Sequence, residues 1–414
     1  MSAPKKEIRL AQDLNEPISH YTDAVLCGDY LFMSGAGPFD VDLSLIGLGD
    51  IEVQTTKTLE NINRMLEAAD MSFDDVAYWL VLLDNVRDQA KVDAVFRKLT
   101  GNAKPAVTYV GAEALALPGM LIEIEGVAYK PREGGAARQE VMADGCADLG
   151  LHYSHAVKAG DLIWYSGVNA SPIDEGGRVL NIGDPILQGR STYENLQRMC
   201  EASGSSVPDI AKVTVYIENV RDNQSIRPAR GRFHAHGRPT SAMIGIKELC
   251  ISGQHHLIEP VGYTATGNNP PRKEWVVPNY RKPISHYTDA VQCGDILFVS
   301  GAGGLEANLK PVSDRDVVKQ AEKTFEHIGA MLDASGYGFD DIVKVTVFHT
   351  HVIERTLINP VRQKVFGNSL PASTLYGVRG LAIEPLRLEI QSIAYRPGMG
   401  EANRDKEPQG SYDN

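Results

Sequence analysis

Residues 17–37 read PISHYTDAVLCGDYLFMSGAG, and residues 283–303 read PISHYTDAVQCGDILFVSGAG. Eighteen of these 21 positions are identical. A more divergent middle copy, LHYSHAVKAGDLIWYSG, spans 151–167. Tyr21, Tyr153 and Tyr287 lie 132 and 134 residues apart, which sets the period. That period is too long for a solenoid unit and matches a complete domain repeated three times.

The rest of each copy lines up as well. Leu59, Ile62, Met65, Leu66 and Ala69 in the first copy keep the i, i+3, i+4 spacing of one buried helical face. Thr324, Phe325, Ile328, Met331 and Leu332 do the same in the third, and TYENLQRMCEASG occupies the place in the second. The β-rich runs VAYWLVLL, AKVTVYI and VKVTVFH follow. A second helix is expected around 92–99, 226–234 and 357–366, and two closing strands end each copy. The predicted order is β-β-α-β-α-β-β, an α+β pattern with helices on one face of a sheet. The other face must be buried, and two sister copies supply the cover in a closed threefold arrangement. The expected domains are 1–135, 136–268 and 269–398. The Gly-, Pro- and charge-rich segments 131–145 and 264–282 read as linkers. The polar tail 399–414 reads as disordered.

Composition narrows the function classes. The 414 residues carry a formal net charge of −12, which disfavours a polyanion such as RNA. No apolar run reaches about 18 residues, so no membrane span is expected, and the N-terminus lacks the apolar stretch of a secretory signal. The five cysteines, Cys27, Cys146, Cys200, Cys250 and Cys293, show no CxxC spacing and read as free thiols of a reducing cytoplasm. HTH at 349–351, HAH at 234–236 and His255–His256 do not recur between copies and lack a spaced third ligand, so no metal site is read. GAGP and GAGG lack the spacing of a nucleotide-binding loop.

The run Y-[ST]-x-A-V-x-x-G-D-x-[LI]-x-x-S-G, the [LFY]-E-[NH]-[IL] helix, the [IV]-x-K-V-T-V strand and the closing E-[IP]-x-x-[IV]-[AG]-Y resemble the Rid family. These are the YjgF-type reactive-intermediate deaminases, formerly labelled endoribonuclease L-PSP. The resemblance covers nearly the whole chain three times over. It implies a chorismate-mutase-like fold, here a pseudo-threefold single-chain trimer with a central β-barrel and outer helices. It also implies clefts between copies that bind small carboxylates, and hydrolysis of 2-imino or 2-enamino acids to 2-keto acids and ammonia without a cofactor. Aminomuconate-like acids fit the same chemistry.

The resemblance assigns roles residue by residue. The motif tyrosine matches as Tyr21, Tyr153 and Tyr287, and the serine as Ser34, Ser166 and Ser300. The water-positioning glutamate is matched to Glu125 and Glu259, with Gln391 in the third copy, whose cleft is therefore expected to be silent. The family's P-A-R arginine, a bidentate carboxylate clamp, is replaced by Val107, Ser241 and Ser373. Arg227, Lys247 and Arg379 are candidate replacement cations, and Asn359 keeps the asparagine of the second helix. Histidine precedes each motif tyrosine, as His20, His152 and His286, and titrates near neutrality. A ligand-binding protein without catalysis is the alternative reading. Ribonuclease activity is disfavoured by charge. A Ser-Lys ring-opening amidohydrolase is disfavoured because Lys212 and Lys344 align with Tyr78.

Overall fold

The computed structural model describes residues 6–132, 134–170, 178–179, 181–278 and 283–407. The predicted element order holds in every copy. In the first, strands Ala24–Cys27 and Tyr30–Met33 form a hairpin and helix α1 (Ile51–Glu67) follows. Strand Val76–Leu83, helix α2 (Gln89–Leu99) and strands Ala106–Gly111 and Ile122–Tyr129 complete the copy. The second copy places α3 at Pro185–Ala202 and α4 at Asn223–Phe233; the third places α5 at Val317–Ser335 and α6 at Asn359–Phe366.

Local chemistry explains the boundaries. Asp50 caps α1 by accepting from the N–H groups of Glu52 and Val53. Asp184 and Asp316 cap α3 and α5 in the same way, and Pro185 opens α3 at a position where its missing N–H costs nothing. Gly336 ends α5 at φ +80°, a conformation open to glycine.

Strand Val76–Leu83 is buried at all eight positions because both of its faces are covered. Val76, Trp79, Val81 and Leu83 pack with Leu59, Ile62 and Leu66 of α1. Ala77, Tyr78, Leu80 and Leu82 point the other way. They join one core with Trp164, Tyr216 and Val261 of the second copy and Phe298, Phe348 and Ile393 of the third. Beyond a register shift at Val76–Tyr78, the period-2 alternation lets one strand serve a private helix-side core and a common interior.

The interior is not a closed barrel, contrary to the expectation. Three separate sheets of seven, seven and six strands face it. Neighbouring sheets meet only through short contacts. Glu248–Leu249 of the second copy pairs with Ala106–Gly111 of the first, and Gly380–Leu381 of the third with Thr240–Gly245 of the second. Ala114 of the first copy bridges to Gly377 of the third. One edge of each sheet is thus capped by the next copy in a cycle, without a continuous ladder.

A second contact recurs at all three interfaces. Ser34 Oγ donates to Thr22 O at 2.6 Å and accepts from the Ser373 N–H at 2.8 Å. Ser166 does the same with Ser154 O and the Val107 N–H, and Ser300 with Thr288 O and the Ser241 N–H. The motif serine is therefore a latch between copies.

The linkers and tail depart from expectation. Strands Gln139–Val141 and Lys273–Trp275 lie inside the two linker segments and add to the edge of the following copy, as Glu7–Arg9 does in the first. The tail is ordered at its start: Met399–Ala402 is a helical turn held by Asp295, which accepts from the N–H groups of Gly398 and Gly400. Residues 279–282 of the second linker, 408–414 of the tail and 1–5 at the N-terminus lie outside the described residues.

Candidate active site

Three clefts open between copies, one at each motif tyrosine. The first, about 90 Å³, takes Tyr21, Gly35 and Glu123 from copy 1 and Arg355, Asn359, Arg362 and Ser373 from copy 3. The second, about 40 Å³, takes Tyr153, His155 and Leu257 from copy 2 and Val107 and Tyr109 from copy 1. The third, about 60 Å³, takes Tyr287, Gly301 and Glu389 from copy 3 and Arg227, Arg230 and Ser241 from copy 2.

The closing strand sends Glu123 into the first cleft and Glu389 into the third; Asp23 also lines the first and accepts from the Ala11 N–H at 3.0 Å. Each glutamate sits opposite an equivalent residue of the central strand: Leu82 faces Glu123, Tyr216 faces Leu257 and Phe348 faces Glu389. The expected Glu125, Glu259 and Gln391 lie two residues further along the same strand face, about 6.6 Å away. There they line an interior cavity of about 30 Å³ together with Lys212 and Lys344. Lys212 Nζ is 2.6 Å from Glu259 Oε1, and Lys344 Nζ is 2.8 Å from Glu125 Oε2. Gln391 Oε1 accepts from Thr214 Oγ1 at 3.1 Å. Strand period gives the face a residue occupies but not whether that part of the face borders a cleft or the axis. The third-copy cleft accordingly holds a carboxylate, and the second is the one without.

Glu123 is 4% exposed. Burial, helped by repulsion from Glu125, pushes its carboxyl up to about 8, against the opposing effects of Lys344 and the Ala116 N–H. It is thus mostly protonated at neutral pH and can donate a proton. Gly35 is needed beside it: a Cβ there would stand 2.1 Å from Glu123 Oε1, and one on Gly301 would stand 2.0 Å from Glu389 Oε1.

The cations of the clefts come from helices. Arg362 on α6 and Arg230 on α4 are each 2% exposed, and each stands ten residues before the first residue of the next strand, Ala372 or Thr240. Arg362 Nη2 donates to His20 O at 3.2 Å while its Nε has no partner; Arg230 leaves Nε and Nη2 without one. Burial lowers Arg362 to about 10, so it stays a cation at neutral pH. A buried guanidinium with open donors is costly until an anion meets it. Phe96 occupies the equivalent place on α2, and no Asp, Glu, Lys or Arg lines the second cleft among the described residues.

The remaining expected residues divide. Tyr21, Tyr153 and Tyr287 do line the three clefts. Burial pushes Tyr21 up to about 12, so it remains a phenol. Tyr153 already accepts from the Leu149 N–H and donates to Ala147 O, both at 3.3 Å. Asn359 lines the first cleft and accepts from Ser19 Oγ, and Arg227 lines the third. His20, His152 and His286 instead dock against the neighbour's second helix. His20 Nε2 meets Gly367 O at 2.8 Å, the His152 N–H donates to Asp93 Oδ1 at 2.6 Å, and His286 lies over Gly231. Arg379 pairs with Glu113 at 3.3 Å and Lys247 with Asp84 at 2.9 Å, each across an interface and outside the clefts. Among the described residues no group of three or more His, Cys, Asp or Glu gathers to hold a metal ion, and no helix is long and apolar enough to cross a membrane.

Glu123, Glu389, Arg230 and Arg362 were missed by sequence reading. The available signal was positional: an arginine ten residues ahead of the fourth strand in two copies, and Glu123, Leu257 and Glu389 each as the second residue of its copy's closing strand.

The chain belongs to the Endoribonuclease L-PSP family, whose model matches residues 12–130, 149–259 and 279–396. It is 40% identical over 126 residues to a RutC family protein of Pyrococcus horikoshii, covering 30% of this chain and 98% of that one. It is 32% identical over 111 residues to the 2-iminobutanoate/2-iminopropanoate deaminase of Mus musculus, covering 27% of this chain and 82% of that one. A chorismatase crystal structure shares the fold across 78% of this chain and 93% of its own, with a TM-score of 0.50 at 13% identity.

Proposed function

We propose that this chain is a hydrolase of C–N bonds that deaminates imine or enamine acids at its first and third clefts. The supporting observation is the pairing, in one cleft, of the Glu123 carboxyl, protonated at neutral pH, with the buried Arg362 guanidinium, whose Nε lacks an acceptor. Arg362 or Arg230 takes the substrate carboxylate in a charge-assisted contact. The protonated Glu123 gives its proton to the imine nitrogen, or to the enamine carbon to reach the same iminium. Glu123, now a carboxylate, removes a proton from the water that adds to the iminium carbon. The carbinolamine collapses to the keto acid and ammonia. No cofactor enters the balance. The deaminase activity in the name of the mouse relative is consistent with this chemistry.

The test is ammonia release from enzymatically generated 2-imino acids, enamines and aminomuconate-type acids. Release lost in the Glu123→Gln, Glu389→Gln double variant and kept in Glu125→Gln supports the reading. No release above the spontaneous rate from any substrate overturns it in favour of a ligand-binding protein.

A further inference from the structure

The first and third clefts differ in where their second cation sits. On α4 the partner of Arg230 is Arg227, three residues earlier, with Asn223 four residues before that. In the first cleft the order is reversed: Asn359 stands three residues before Arg362, and Arg355 seven before. Both second cations line their clefts. Among the described residues neither Arg227 nor Arg355 forms an ion pair with a carboxylate, whereas the neighbouring Arg221 and Arg387 pair with Glu384 and Glu354. Three residues of α-helix rise about 4.5 Å. Arg355 lies in the 3-10 segment Val352–Ile358 that precedes α6. Its seven-residue separation from Arg362 therefore spans roughly 12 Å. The first cavity is also the larger, about 90 Å³ against 60 Å³.

We propose that the two clefts select acids of different length. The third cleft takes short dicarboxylates, whose two carboxylates lie within one helical turn and meet Arg230 and Arg227 together. The first takes elongated acids, with one carboxylate at Arg362, an apolar body between Ile18 and Met65, and a distal anionic group at Arg355. The proposal rests on the reading that these two clefts are the working sites. A single chain can hold such a division of labour, whereas a homotrimer of one domain repeats one cleft three times.

Equilibrium titration calorimetry with succinate and suberate, on the full chain and on Arg227→Ala and Arg355→Ala, tests the division without requiring turnover. The expected result is one site for each diacid. Arg227→Ala weakens succinate about tenfold or more and leaves suberate unchanged, and Arg355→Ala does the reverse. Competition of the two diacids for one site, equal weakening of both by either variant, or failure of both to bind the full chain overturns the proposal. A chain that binds both selectively yet releases no ammonia keeps this inference and loses the deaminase reading, so the two fail separately.

Discussion

Lys212 pairs with Glu259 of its own copy, whereas the equivalent Lys344 pairs with Glu125 of a different copy. The difference traces to one position. The glutamate that Lys212 would reach across the interface is Gln391, so Lys212 turns back to Glu259, which also accepts from Tyr216 Oη at 2.8 Å. Tyr78 completes the compensation in the first copy, so the interior holds two lysines and two glutamates. Charge balance at the axis thus survives the loss of strict threefold symmetry.

Removing one partner leaves a buried charge alone. Lys344→Met should destabilise the chain by about 3–5 kcal/mol, and the Lys344→Met, Glu125→Leu double variant by much less. Chemical denaturation of the two variants measures the difference. A single variant as stable as the double would show that this pair is not coupled.

Acid should weaken the fold through buried histidines. Burial holds His234 at about 3 and His256 at about 4, with the nearby Arg230 adding to the effect at His234. Below about 6.5 the unfolded chain takes up protons that the folded chain refuses, so stability falls with pH by about 1.4 kcal/mol per unit for each. Glu123 has the opposite sign. Its raised value adds stability that is fully present below about 4.5 and lost as pH rises through about 8. His234→Phe should therefore flatten the loss of Tm between pH 7 and pH 5, and Glu123→Gln should flatten the decline from pH 5 to pH 8.

Crowding the carboxyls should silence the clefts one at a time. In Gly35→Ala the new methyl displaces the flexible end of Glu123, with the fold retained. First-cleft turnover is expected to fall at least about tenfold. Gly301→Ala does the same to the third cleft. Each single variant should keep the activity of the other site in steady-state kinetics with a matched substrate, and the double variant should lose both.

The serine latches should act independently. Ser34→Ala strands the buried Ser373 N–H, at a cost of about 1–3 kcal/mol. Ser166→Ala and Ser300→Ala strand the N–H groups of Val107 and Ser241. Denaturant midpoints of single and paired variants should add within about 0.5 kcal/mol, since the three interfaces share no partners.

The repeat made the element order and threefold plan legible, because each copy carries its helix stripe and strand alternation locally. The clefts were only partly so. Tyr21, Tyr153 and Tyr287 were found because they sit in the most similar segment. Glu123 was missed for Glu125 because both share one strand face, and only assembly decides which borders a neighbour's helix. Arg230 and Arg362 were missed because their helix face is defined by the adjoining copy. Strands Gln139–Val141 and Lys273–Trp275 are short, largely polar and formed by docking onto an existing edge, so no pattern within them announces a strand.

The latch between the last copy and the first, Ser373 N–H to Ser34 Oγ at 2.8 Å, matches the 2.8 and 2.9 Å of the two latches whose copies are covalently joined. Peptide linkage is therefore incidental to how the copies hold one another, and the molecule is a ring with a nick. Moving that nick, by tethering the ends and opening 131–138 instead, should yield a circular permutant with the same three clefts, its copies merely read out in a different order.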